Sequence, residues 1–130
     1  MKRLPVIAIA MTMAWVTGAA AADFDGSKLL ICATVESADC VAGQACLRGR
    51  PEDIAAPAFM RIDFKKNAIV GPKRTTKIVS LEKGEGQLLL QGTELGYGWT
   101  LALDQVSGKM IATMVDREGV FVLFGNCTPL

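Results

Sequence analysis

Tyr97-Gly98-Trp99-Thr100-Leu101-Ala102-Leu103-Asp104, followed by Gln105-Val106-Ser107-Gly108 and then Lys109-Met110-Ile111-Ala112-Thr113-Met114-Val115, is the stretch that decides the fold class. Trp99, Leu101 and Leu103 fall on one side of an extended chain, and Thr100, Ala102 and Asp104 on the other. That period of two is the mark of a strand with one buried face. Val106-Ser107-Gly108 closes a hairpin into residues 110–115, and Asp116-Arg117-Glu118-Gly119 closes a second into residues 120–124. Tight links of this kind join only antiparallel neighbours.

The same grammar extends upstream. Residues 29–35 form an apolar run, and Met60, Ile62 and Phe64 alternate with Arg61 and Asp63. Lys65-Lys66-Asn67 turns the chain into residues 68–70, before Gly71-Pro72. Residues 77–82 place Val79 and Leu81 on one face, and residues 87–92 follow Gly84-Glu85-Gly86. The stretch 51–58 suits one helical turn, because Pro can begin a helix and Glu52 and Asp53 complement its N-terminus. Elsewhere the glycine spacing leaves no window for a long amphipathic helix. The expectation is an all-β antiparallel meander of seven to eight strands, a closed small barrel, with a β-sandwich as the alternative.

The first 22 residues read differently. Lys2 and Arg3 precede an apolar core, and Ala19-Ala20-Ala21-Ala22 supplies the small side chains a signal peptidase requires. The expectation is a signal peptide over residues 1–22 and a single all-β domain over 23–130, periplasmic or secreted. The rival is an uncleaved anchor, since residues 4–22 carry no charge. Pro5, Gly18 and the alanine run weaken it, and no other stretch approaches the roughly 20 apolar residues of a membrane span.

Export gives the four cysteines a meaning. Cys32, Cys40, Cys46 and Cys127 permit three disulfide pairings. The five residues between Cys40 and Cys46 form a short loop that favours their pairing, leaving Cys32 for Cys127, which would set the first and last strands side by side. Zinc is the competing use of four thiols. The spacings lack C-x-x-C knuckles, and an oxidising compartment opposes free thiolates.

Without its leader the chain carries 12 Lys and Arg against 13 Asp and Glu, a balance that opposes nucleic-acid binding. Histidine is absent, so neither a Ser-His-Asp nor a Cys-His arrangement can form. No phosphate-cradling glycine loop or calcium loop occurs. No catalytic residue, cofactor or metal site is expected from these patterns.

Two local features invite function. Lys65, Lys66, Lys73, Arg74 and Lys77 lie within an acid-free stretch that suits an anionic surface, although lysine-rich turns also serve to keep sheet edges soluble. Tyr97 and Trp99, beside Gly96 and Gly98, suit a ligand platform; the alternation of Trp99 with Leu101 and Leu103 argues instead for packing. The late acidic residues Glu82, Glu85, Glu94, Asp104, Asp116 and Glu118 sit mostly in turns, where carboxylates are ordinary.

The Tyr97-Gly98-Trp99 run, the hairpin Gly108 and Gly125-Asn126-Cys127 resemble the last third of small exported bacterial β-barrel proteins of uncharacterised type. The resemblance implies a barrel and no catalytic residues. The functional expectation is an exported, noncatalytic binding or interaction module of the bacterial cell envelope, meeting an envelope protein or a small ligand. The alternative is a periplasmic enzyme that uses carboxylates.

Overall fold

The computed structural model describes residues 23–130; the leader expectation falls on residues 1–22, outside the described residues. The strands are β1 (Leu30–Val41), β2 (Leu47–Gly49), β3 (Phe59–Asp63), β4 (Ala68–Val70), β5 (Thr75–Lys77), β6 (Ser80–Lys83), β7 (Gln87–Glu94), β8 (Tyr97–Asp104), β9 (Lys109–Val115) and β10 (Gly119–Pro129). A single 3-10 turn, Pro51–Ile54, interrupts them, with Pro51 buried and Glu52 and Asp53 in its first turn.

All pairings are antiparallel, and the ten strands form one curled half-barrel sheet in the order β5-β4-β3-β1-β10-β9-β8-β7-β6, with β2 attached to β1. The all-β antiparallel architecture and its two bridges follow the sequence expectation. The strand count does not: ten replace the expected seven to eight. One extra strand is β2, three residues that pair with the far half of β1. The other arises because residues 75–83 change partners midway. β5 pairs with β4, and β6 pairs with β7. Between them the Ile78 N–H donates to the Asn67 carbonyl at 2.8 Å, and the Val79 N–H donates to the Gln91 carbonyl at 2.8 Å. This switch buries Ile78 and turns Val79 out to 70% exposure; Leu81, opposite Leu90 on β7, is also exposed, so neither of the pair is buried.

β1 is the second departure from the sequence reading. It runs twelve residues, through Glu36-Ser37-Ala38-Asp39 to Cys40 and Val41, because β10 offers a ladder along its whole length. The register slips between Thr34 and Glu36, and the bulged Val35 points to solvent. A bulge adds one residue and reverses which parity faces the core. Ser37 therefore turns inward to 1% exposure, and its hydroxyl donates to the Arg50 carbonyl at 2.7 Å.

The inward positions merge into one apolar cluster that includes Leu30, Ile62, Leu88, Leu90, Leu101 and Leu103. Phe24, just beyond the expected cleavage site, packs against this cluster, as do Ile54 and Ala56 from the stretch that bridges β2 and β3. Cys32 stands opposite Cys127 on β10 and bonds to it across a separation of 95 residues, while Cys40–Cys46 clips the hairpin that leads into β2. Two disulfides suit an oxidising, non-cytoplasmic environment. Among the described residues no helix is long and apolar enough to cross a membrane.

Candidate functional surface

Trp99 lies in the cluster, 8% exposed, and its indole N–H donates to the Thr76 hydroxyl at 3.3 Å. Its ring occupies the space left by Gly92 on the neighbouring strand. A Cβ at Gly92 would press on that ring and come within 2.6 Å of the Lys77 carbonyl oxygen. Tyr97 is half-buried two residues earlier on the same face, with its ring centroid 6.0 Å from that of Phe121. Trp99 therefore belongs to the packed inside of the sheet, while Tyr97 stays half-buried beside Phe121.

The five cations of the basic segment are not one cluster. Lys65 and Lys66 lie in the turn between β3 and β4, and Lys77 stands opposite Ala68 at that same end. Lys73 and Arg74 lie in the turn at the other end of β4, where the Gly71 N–H donates to the Arg74 carbonyl. Three residues of strand separate the groups, about 10 Å. Arg61, outward on β3, stands opposite Val70, at the Lys73-Arg74 end of β4. Among the described residues none of these six forms an ion pair with a carboxylate.

The carboxylates are dispersed. Asp104 accepts the N–H groups of Val106 and Ser107 at 2.9 and 2.7 Å. These donors, Ser107 foremost, hold its carboxyl below the ordinary value of 3.8. Asp25 is lowered in the same direction, chiefly by hydrogen bonding from Ser27. A general acid at neutral pH needs the opposite displacement, so these two carboxyls are built as turn acceptors. Among the described residues no three Asp, Glu or Cys side chains converge as metal ligands would, and no buried side-chain nitrogen or oxygen lacks a partner.

Two shallow depressions mark the outer surface. One, about 180 Å³, sits at the β1 bulge between Thr34, Val35, Arg50, Pro51, Glu52 and Ala58. The other, about 210 Å³, crosses three strands and is lined by Ile31, Ala33, Phe59, Asn126, Cys127 and Thr128. Ile31 and Ala33 alternate with the buried Leu30 and Cys32, which turns them outward. Beside this second groove, β9 and β10 present Ile111, Val115, Val120, Val122 and Phe124 on the outer face. Ile111 pairs with Phe124, and Val115 with Val120, so these residues form contiguous rows.

Residue patterns alone missed this surface. Phe59, Arg61 and Lys109 join it only when β3, β1, β10 and β9 lie side by side. A signal existed at the polar positions of the strand pattern, where Ile31, Ile111 and Val115 break the expected apolar-in, polar-out rule. No family model, curated protein or solved structure matches the chain.

Proposed function

We propose that this chain is an exported, noncatalytic binding module that works through the outside of its sheet. One observation carries the reading: the inward positions are packed into a single apolar cluster, while Ile111 and Val115 of β9 stand exposed on the outer face beside the half-buried Val120, Val122 and Phe124 of β10. An uncovered apolar face on a small exported domain is the usual ground for a contact surface.

We also read the half-barrel as a closed ring. Support comes from β5 and β6, the two ends of the sheet order, which are consecutive in the chain and linked to β4 and β7 by the Ile78 and Val79 N–H groups. A ring offers no free strand edge for an incoming peptide. Binding then falls to the outer face and the turns.

The test is Ile111→Asp combined with Phe124→Asp in protein exported by its own leader. Both sites are outward, so the fold persists and the protein moves from the sedimentable envelope fraction to the soluble one. A hydrolase screen on the unmodified protein tests the rival. Turnover of an ester, peptide or glycoside that one carboxylate substitution abolishes would replace the binding reading with an enzymatic one.

A further inference from the structure

We propose that the outward face of β10, β1 and β3, centred on the apolar groove, is where the domain lies on a bilayer containing anionic phospholipid. This names the partner class for the outer-surface binding proposed above and rests on that reading.

Lys109, Asn126, Ala33 and Phe59 stand opposite one another in one row across β9, β10, β1 and β3. The next row runs Thr128, Ile31, Arg61, Val70 and Thr75. The groove therefore has an apolar floor, with Lys109 on one flank and Arg61 on the other. The Lys73-Arg74 turn extends the cationic flank, because Gly71 leads it past Pro57 at the end of β3 where Phe59 begins. Neighbouring strands lie about 4.8 Å apart, which puts the two flanks about 15 Å from each other.

Phe59 is 59% exposed at the edge of the groove, two residues from Arg61 on the same outward face of β3. An apolar side chain that enters the boundary between headgroups and acyl chains, ringed by cations that meet phosphates, is the arrangement by which a folded domain holds a membrane surface.

The charge distribution gives the contact a direction. Residues 61–77 hold six Lys and Arg and one acid, Asp63. The rest of the chain beyond the leader holds six Lys and Arg against twelve acids. Asp63 does not cancel the patch through an ion pair; it accepts the Lys66 N–H at 3.0 Å. Asp104, near Lys109, is likewise engaged by backbone N–H groups of its own turn. An anionic plane attracts the β3–β5 side and repels the acidic remainder, so it selects one orientation. A soluble polyanion would need the cations but not the groove or Phe59, which is why the observations favour a bilayer.

The experiment uses residues 23–130 with both disulfides intact, since these residues contain the whole described core. Sedimentation with phosphatidylcholine vesicles, with and without phosphatidylglycerol, reads the partition coefficient. Binding appears only with phosphatidylglycerol and weakens as salt rises. Replacing Arg61, Lys73, Arg74 and Lys109 by Ser lowers it by on the order of 1000-fold. Phe59→Ser lowers it by about tenfold, and Phe59→Trp gives an emission that shifts to the blue when anionic vesicles are added. Arg48→Ser with Arg117→Ser, on other parts of the surface, changes little.

Absence of binding at low salt, or binding untouched by the four substitutions, overturns the proposal. So does binding that heparin abolishes while Phe59→Ser and Phe59→Trp show no effect, because charge alone would then suffice. If vesicles fail while Ile111→Asp with Phe124→Asp still releases the protein from the envelope fraction, the lipid assignment falls and the outer-face reading stands.

Discussion

The two disulfides close loops of very different length, and their removal should cost very different amounts. Cys32–Cys127 spans 95 residues and Cys40–Cys46 spans 6. In the chain-entropy account, a cross-link removes freedom from the unfolded chain in proportion to the logarithm of loop length. That gives about 4.7 kcal/mol for the long bridge and about 2.3 kcal/mol for the short one. Location widens the gap. Cys32 and Cys127 lie in the core at 0% and 6% exposure, whereas the Cys46 side of the hairpin is solvated. Alanine at the first pair therefore also loses packing. The measurement is urea unfolding of C32A/C127A and C40A/C46A beside the parent, followed by the fluorescence of Trp99, the single tryptophan of residues 23–130. With urea slopes of about 1–3 kcal/mol per molar, the long-bridge variant should fall by at least about 1.5 M in midpoint and the short-bridge variant by at least about 0.8 M. Equal losses, or a larger loss from C40A/C46A, would refute the loop-length reasoning. They would mean that the long β1–β10 ladder already persists in the unfolded chain.

Gly92→Ala should destabilise the fold by about 1–3 kcal/mol, because the new methyl meets the Trp99 ring and the Lys77 carbonyl where the chain changes partners; a red-shifted Trp99 emission checks it. Leu95→Asn should stabilise by about 0.5–1 kcal/mol in the same urea assay. Leu95 occupies a two-residue hairpin at φ 48, a left-handed conformation that Asn adopts more readily, with Gly96 after it at φ 85. Asp104→Asn should remove part of the acid dependence of stability. A carboxyl lowered in the folded state contributes fully above its unfolded value near 3.9, and that contribution is lost as pH falls through the lower folded value. Parent and variant unfolding midpoints should therefore converge at the acid end, separate as pH rises toward 4, and change little relative to each other above about 5. Leu101→Ala should cost about 2–5 kcal/mol, since that side chain is 1% exposed in the centre of β8.

Some of this architecture lay open in the sequence because the forces that set it are local. In β8 the alternation of Trp99, Leu101 and Leu103 with Thr100, Ala102 and Asp104 names the buried face before any partner is known. Turn chemistry does the rest, as Val106-Ser107-Gly108 and Asp116-Arg117-Glu118-Gly119 each permit only an antiparallel return. Spacing favoured one of the three cysteine pairings without deciding among them, and the structure joins Cys32 to Cys127 and Cys40 to Cys46.

Other features depended on neighbours that no single segment contains. Glu36-Ser37-Ala38-Asp39 has no apolar alternation; it is a strand because β10 supplies a ladder, and Ser37 is buried because the bulge at Val35 reverses parity. Ile78 and Val79 exchange roles because the backbone between β5 and β6 pairs first with one strand and then with another. The candidate lipid-facing surface is the extreme case. Ile31, Ala33, Phe59, Arg61, Asn126, Thr128 and Lys109 come from four strands, and their adjacency exists only through the registers that link them. In β8 local patterning marked which residues turn inward, because burial selects alternate side chains of a single strand. Only the tertiary pairing decided which outward residues become neighbours, because register is a property of pairs.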